Sequence, residues 1–190
     1  MSRARRVLLE RLDTHHDVGT FDSGNDMLDG WLRRHALAAQ RMDSARTFVA
    51  TRGGRVVGYF SLTMGSVLRA HAPAKVVRGM PVYPVGIVLL GRLAVDQSQQ
   101  GKGVGAMLLA EALRKAVAAG EVAAARLIVV DAVDDNAAAF YERYGFVRAP
   151  EHPLRLYGRM KDVRDSLDSS ADGQASSPRR HRALRAVRPP

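Results

Sequence analysis

Gln100-Gly101-Lys102-Gly103-Val104-Gly105 stands between an apolar run ending at Val95 and a segment, Ala106 to Ala119, whose Met107, Leu108, Ala112, Leu113 and Ala116 recur at helical spacing. The order is strand, glycine-rich turn, helix. Glycine has no Cβ, so backbone N–H groups in such a turn can be approached closely, and the positive end of the next helix favours negative charge there. A merely flexible turn would use the same residues, so the hexapeptide is informative only with its neighbours. Two phosphate-binding patterns fail on spacing. A P-loop needs Ser or Thr after its Lys, and Lys102 is followed by Gly103. The dinucleotide fingerprint needs two residues between its second and third glycines, whereas only Val104 separates Gly103 from Gly105.

Working outward, Gly86 to Val95 is continuous and apolar apart from Gly91 and Arg92, as expected of a central strand buried on both faces. Upstream, Thr47–Thr51 and Arg55–Leu62 are rich in Val, Phe, Tyr and Thr and are separated by Gly53-Gly54, a hairpin signal. Residues 23–40 begin with the capping cluster Ser23, Asn25 and Asp26 and carry Leu28, Trp31, Leu32, Ala36 and Ala39 at helical spacing, which predicts one amphipathic helix. Downstream, Arg126–Val133 reads as another apolar strand. Asn136–Tyr144 reads as a short helix closed by Gly145, and Phe146 onward as a return to extended chain. This order implies an α/β fold, a mixed central sheet flanked by helices.

The chain has 190 residues, no cysteine and a net charge of +10. Absence of Cys excludes disulfide scaffolds, thiol nucleophiles and cysteine-ligated metal centres, and points to a reducing, cytoplasmic setting. No apolar stretch approaches the roughly 20 residues a membrane helix needs, and the arginines near the start precede polar residues rather than a secretion signal. Residues 1–160 hold 22 basic against 15 acidic side chains, a net +7, which fits a polyanionic partner for the folded part and equally fits a charge that serves solubility. From Asp162 the composition turns to Ser, Asp and Gly. With the five arginines between Arg179 and Pro190, it predicts a folded domain over 1–162 and a disordered basic tail over 163–190. The six histidines show no ligand spacing, and no metal is expected.

Gln100, Gly103 and Gly105 resemble the pyrophosphate loop of the GCN5-related N-acetyltransferases (GNAT): Gln or Arg, two residues, Gly, one residue, Gly or Ala. Leu90-Gly91-Arg92-Leu93-Ala94-Val95 is similar to that family's fourth strand, and Asn136 through Phe146 to its closing motif. A narrower resemblance, to the GNAT toxins of type II toxin–antitoxin modules, lies in Phe21-Asp22-Ser23-Gly24, Leu28-Asp29, Trp31-Leu32, Ala45-Arg46-Thr47 and Val57 to Leu62. Together these cover roughly residues 8–160. Taken singly, Trp31 fits a core aromatic and Arg46 a solvated charge.

The resemblance implies the GNAT acyl-CoA N-acyltransferase fold, acetyl-CoA as cosubstrate and transfer of acetyl to the α-amine of aminoacyl-tRNA, blocking translation. It further implies neutralisation by a cognate ribbon-helix-helix antitoxin, and a homodimer. The backbone at Leu93 and Val95 would pair with the pantetheine arm, Val95 also lying near the oxyanion donor. Gly101, Lys102, Gly103, Val104, Gly105 and Ala106 would hold the pyrophosphate beside Gln100, Asn136 would contact coenzyme A, and Tyr141 would be the acid. Tyr144, three residues on, is the rival phenol. An α-amine has a pKa near 8, so it is partly neutral at pH 7 and needs no strong base, unlike a lysine at about 10.4. Arg46, Arg78 and Arg92 are the candidate tRNA contacts. An exposed apolar sheet face or edge near Val57–Leu62 would suit a dimer contact. Two alternatives stand beside this reading: a GNAT enzyme acting on a small amine or a protein N-terminus, and a non-catalytic CoA-binding or RNA-binding module. Positive charge disfavours a cationic amine substrate.

Overall fold

A computed structural model describes residues 7–172, with side chains to residue 169. Its core is a seven-stranded sheet. In chain order the elements are β1 (Leu8–Arg11), α1 (Asp26–Arg34), α2 (Ala36–Arg41), β2 (Arg46–Arg52), β3 (Arg55–Val67), α3 (Ala74–Val77), β4 (Val85–Val95), α4 (Val104–Ala123), β5 (Leu127–Asp131), α5 (Asp135–Glu142), β6 (Val147–Arg148), β7 (Arg155–Arg159) and α6 (Met160–Asp172). The strands lie in the order β1-β2-β3-β4-β5-β7-β6, antiparallel except for the β4–β5 pair. That parallel pair requires a crossover, which α4 supplies.

Two irregularities in the central strands position everything that follows. On β4, Arg92 faces Ser61 while Leu90 faces Leu62, so Gly91 is one extra residue, a β-bulge. Before the bulge Val88 and Leu90 join the apolar cluster under α4; after it Leu93 and Val95 do, a change of parity. Arg92 and Ala94 therefore turn to the opposite face, where Trp31 and Tyr59 lie. The second irregularity is where β4 and β5 part. Their register runs only from Ile87–Leu127 to Leu90–Val130, so residues 91–95 have no strand neighbour on that side and the sheet splays open.

Helix α4 sits close against β3 because Gly58 lets it. A Cβ there would fall 2.7 Å from Leu108 Cδ1 and 3.1 Å from the Ala94 carbonyl oxygen. Leu108 is fully buried and has little room to give. Gly58→Ala is therefore expected to destabilise the protein by about 1 to 3 kcal/mol through overpacking, measured by denaturant unfolding; an unchanged midpoint would show that α4 moves away without cost.

The fold departs from the sequence reading at several points. The single helix over 23–40 breaks at His35, whose N–H bonds to the Trp31 carbonyl and whose backbone leaves helical geometry, giving α1 and α2. Residues 57–62 belong to an internal strand paired on both edges, and Val57, Tyr59, Phe60 and Leu62 are buried, so this segment is no exposed edge for a second subunit. The boundary at 162 falls inside α6, which packs on α4 through Met160 and Val163 and pairs Arg164 with Glu121 at 3.2 Å. The arginine-rich segment 179–190 lies outside the described residues. Among the described residues no helix is long and apolar enough to cross a membrane.

Candidate active site

The glycine loop takes the conformation its glycines permit. Gly101 has φ +71° and Gly103 φ +80°, with nothing within 4 Å of an added Cβ, so backbone conformation rather than space demands glycine at both. Gly103 is the N-cap of α4 and offers no side chain, and the first turn holds no acid. The N–H groups of Val104, Gly105 and Ala106 therefore lack intrahelical acceptors and side-chain caps, leaving a positive helix end open to an anion. The helix begins at Val104, two residues before the sequence placed it. Lys102 folds back, its Nζ donating to the Ser98 carbonyl at 2.7 Å.

The loop is braced from the N-terminal segment. Gln100 Nε2 donates to the carbonyls of Val95 and Ser23, each at 3.0 Å, and Gln97 Nε2 donates to Asp22 Oδ1 at 3.0 Å. Beneath lies Asp96, 2% exposed. Its carboxylate accepts from the Ser98 hydroxyl at 2.5 Å and backbone N–H at 3.0 Å, from the Asp22 N–H at 3.3 Å, and from Arg55 at 3.0 Å. Burial opposes its ionisation. The hydrogen bonds from Ser98 and Asp22, with the Arg55 charge, outweigh that and hold the carboxyl below the usual carboxylate range. Sequence reading found Phe21-Asp22-Ser23-Gly24 only by resemblance; the structure gives those residues the job of holding the loop. Asp96 carries no assigned role in the sequence reading, although an acid two residues before a Ser at the end of a strand is a turn-capping signal.

Tyr141 is buried, 5% exposed, and belongs to the apolar cluster that includes Val104 and Leu108 and against which Leu93 and Val95 pack. Its ring lies 5.2 Å from Phe140 and 6.0 Å from Phe146, both edge-on. Burial pushes the phenol above its ordinary pKa, and among the described residues its hydroxyl has no hydrogen-bond partner. Tyr144 is 39% exposed and lines a cavity of about 370 Å³ between α4 and α6 with Ala106, Leu109 and Val163. Of the two phenols, Tyr141 is the buried one. Asn136 lies exposed in the first turn of α5, next to the residues that Asp134 caps.

The three candidate arginines are not brought together. Arg46, at the start of β2, bonds Asp43 at 2.5 Å and the Gln40 carbonyl at 3.2 Å, and it lines a groove with Phe48 and Lys115 on the α4 face. Arg92 is on the other face, its guanidinium 4.2 Å above the Trp31 ring, which in turn stacks on Tyr59 at 6.0 Å. Arg78 follows α3, its carbonyl accepting from Arg159 where β5 begins, the end of the sheet away from the loop. Strand parity and topology separate them, and neither is visible in residue type. Among the described residues, Glu10, His15 and His16 bring their ligand atoms within 4.8 Å of one another. His16 is already hydrogen-bonded through both ring nitrogens, to the Asp13 backbone N–H at 3.0 Å and to Glu10 at 3.2 Å.

A glycine-rich, uncapped helix end, a parallel strand pair that parts beside it and a buried phenol lie together, a set suited to an extended ligand that carries phosphate. Residues 43–148 match the acetyltransferase (GNAT) domain family. The chain is 45% identical over 154 residues to the tRNA-acetylating toxin of Mycobacterium tuberculosis (strain ATCC 25618 / H37Rv), covering 81% of this chain and 92% of that protein. Its structure is similar to AtaT complexed with acetyl-methionyl-tRNAfMet, with a TM-score of 0.78 and 28% identity over 85% of this chain and 99% of the other. It is also similar to a tyrosine-to-phenylalanine mutant of AtaT bound to acetyl-CoA and the C-terminus of the antitoxin AtaR, with a TM-score of 0.74 and 27% identity over 85% and 98%.

Proposed function

The chain belongs to the GNAT acetyltransferase family, and from that premise we propose that it is a toxin that moves acetyl from acetyl-CoA to the α-amine of aminoacyl-tRNA. The observation that carries this reading is 45% identity spanning 92% of a tRNA-acetylating toxin, in a chain that keeps Gln100, Gly103, Gly105 and Tyr141. Translation stops because an acylated α-amine can no longer act as a nucleophile.

Each residue has a part. The N–H groups of Gly101 to Ala106 hold the pyrophosphate of acetyl-CoA beside Gln100, with Lys102 adding charge. The unpaired stretch of β4 at Leu93 and Val95 supplies backbone partners for the pantetheine arm, and Asn136 meets coenzyme A from α5. The neutral α-amine attacks the thioester carbonyl, the backbone near Val95 stabilises the oxyanion, and the carbon–sulfur bond breaks. Tyr141 gives its proton to the departing sulfur, the nitrogen that becomes the amide sheds one proton to water, and the phenolate takes a proton back from water; burial keeps the phenol protonated until the transfer. Arg92 serves the substrate; Arg46 and Arg78 contribute to a more general attraction for tRNA phosphates.

The partner that restrains the toxin is an antitoxin of the ribbon-helix-helix class, and the working unit is a homodimer whose contact avoids the internal strand β3. The enzyme acts in the cytoplasm, where charged tRNA is. Transfer of labelled acetyl to bulk charged tRNA, with deacylated tRNA as blank, tests the assignment. Label on a small amine or a protein N-terminus instead would replace it.

The tail adds RNA affinity in this reading. Truncation after Asp172, which spares α6, is expected to weaken tRNA binding and flatten its salt dependence by roughly 0.7 in log–log slope for each arginine engaged. An unchanged slope in a filter-binding titration would make the tail a bystander.

A further inference from the structure

Close to the bulge at Gly91 lies one buried hydroxyl without a partner, with a second hydroxyl that makes no hydrogen bond beside it. Thr47, Ser61 and Arg92 lie side by side across β2, β3 and β4 on the α1 face. Thr47 is fully buried and its Oγ1 has no hydrogen bond. Ser61 is 2% exposed, and among the described residues its hydroxyl likewise has no partner. Buried hydroxyls are normally satisfied, and the exception at Thr47, beside the unbonded Ser61 hydroxyl, marks a place where another group can bind. A Cβ at Gly91 would stand 3.7 Å from Ser61 Oγ, so the missing side chain clears the space in front of that hydroxyl. The gap opens where β4 leaves β5, beside the strand segment assigned to the thioester arm.

Arg92 borders the same gap. It is half-buried and, among the described residues, in no ion pair: its guanidinium carbon lies 4.2 Å over the centre of the Trp31 ring, and Trp31 stacks on Tyr59, whose hydroxyl donates to the Leu28 carbonyl at 2.8 Å. Among the described residues none of its N–H donors has an acceptor. A guanidinium held over an aromatic ring keeps its N–H donors available for another acceptor.

We propose that Ser61 and Arg92, across the gap left by Gly91, form the acceptor subsite. The Ser61 hydroxyl accepts a hydrogen bond from the attacking α-amine, and Arg92 donates to the ester carbonyl oxygen of the aminoacyl end. This inference rests on the aminoacyl-tRNA reading and assigns its acceptor a position. Together the two contacts bracket the amine-bearing carbon, as an α-amino ester requires.

The test is steady-state acetylation of charged tRNA by the full chain and its variants. Ser61→Ala is expected to raise KM for charged tRNA about tenfold with a smaller effect on kcat, and to leave KM for acetyl-CoA unchanged. Its melting temperature should stay level or rise, because the hydroxyl removed has no partner in the fold. Arg92→Lys should lose nearly as much as Arg92→Ala, since an ammonium cannot lie flat on Trp31 and donate as a fork. An unchanged KM for charged tRNA in Ser61→Ala, a fall in its melting temperature with both KM values moving together, or full rescue by Arg92→Lys would overturn the subsite. If the native chain acetylates charged tRNA while the variants match it, the subsite alone falls. If the native chain binds acetyl-CoA but leaves charged tRNA unlabelled, the functional reading falls with it.

Discussion

Tyr141→Phe is expected to lower kcat for acetyl transfer by about 10²- to 10⁴-fold, the range that a positioned general acid supplies, while acetyl-CoA binding changes little. The substitution removes one oxygen. The ring's edge-on contacts with Phe140 and Phe146 persist, and the hydroxyl has no hydrogen bond within the described residues to lose, so the fold should be unaffected. What disappears is the proton for the leaving thiolate. Burial keeps the phenol fully protonated at neutral pH, and a thiolate expelled into the same apolar surroundings is destabilised by the same loss of solvation, which favours passage of the proton to sulfur as the bond breaks. The check is single-turnover transfer from labelled acetyl-CoA to charged tRNA, with calorimetric acetyl-CoA binding alongside. Retention of more than a tenth of the native rate would take the acid role from Tyr141 and give it to another donor, Tyr144 being next in line. Equal loss of binding and rate would mean that the hydroxyl orders the cofactor site instead.

What the sequence disclosed and what it hid follow physical lines. The β4–loop–α4 unit was legible because each piece has a strong local cause: a two-face-buried strand must be apolar throughout, and positive φ at Gly101 and Gly103 demands glycine. Tyr141 and Asn136 came from a motif, not from chemistry visible in isolation. Strand β1 escaped notice because Leu8–Arg11 is only four residues and mostly exposed. Helix α6 escaped because its composition is that of a solvated segment, and its hold on the core comes down to Met160 and Val163, with Leu167 beside the cavity, at i, i+3 and i+7. The arginines were misgrouped for a subtler reason. Residue type announces a phosphate-seeking charge but not its face, and the parity change at Gly91 sends Arg92 to the side of the sheet opposite Arg46. The unbonded hydroxyls of Thr47 and Ser61 gave no signal, since only tertiary structure reveals a missing partner.

Asp96→Ala is expected to destabilise the protein by about 2 to 4 kcal/mol, lowering Tm by roughly 4 to 16 °C for a domain of this size, and to raise KM for acetyl-CoA in the same variant. Four donor groups converge on this carboxylate: the Asp22 N–H, the Ser98 N–H and hydroxyl, and Arg55. Arg55 is half-exposed and can rehydrate when its partner is lost, which keeps the cost below that of a fully buried pair. The backbone donors cannot turn to water so easily. Their release frees the start of the 97–99 turn and the Asp22–Ser23 strap that Gln97 and Gln100 grip, so the glycine loop loses its brace. The same carboxylate sets an acid limit. Its folded-state pKa lies below its unfolded one, so its contribution is fully present above the ordinary carboxylate range and is lost as pH falls below about 4. Native and Asp96→Ala proteins should therefore differ most in melting temperature near pH 7 and converge in acid. A constant difference down to pH 3 would show that the aspartate acts through shape alone. A Tm loss without any change in acetyl-CoA KM would uncouple the brace from the phosphate site.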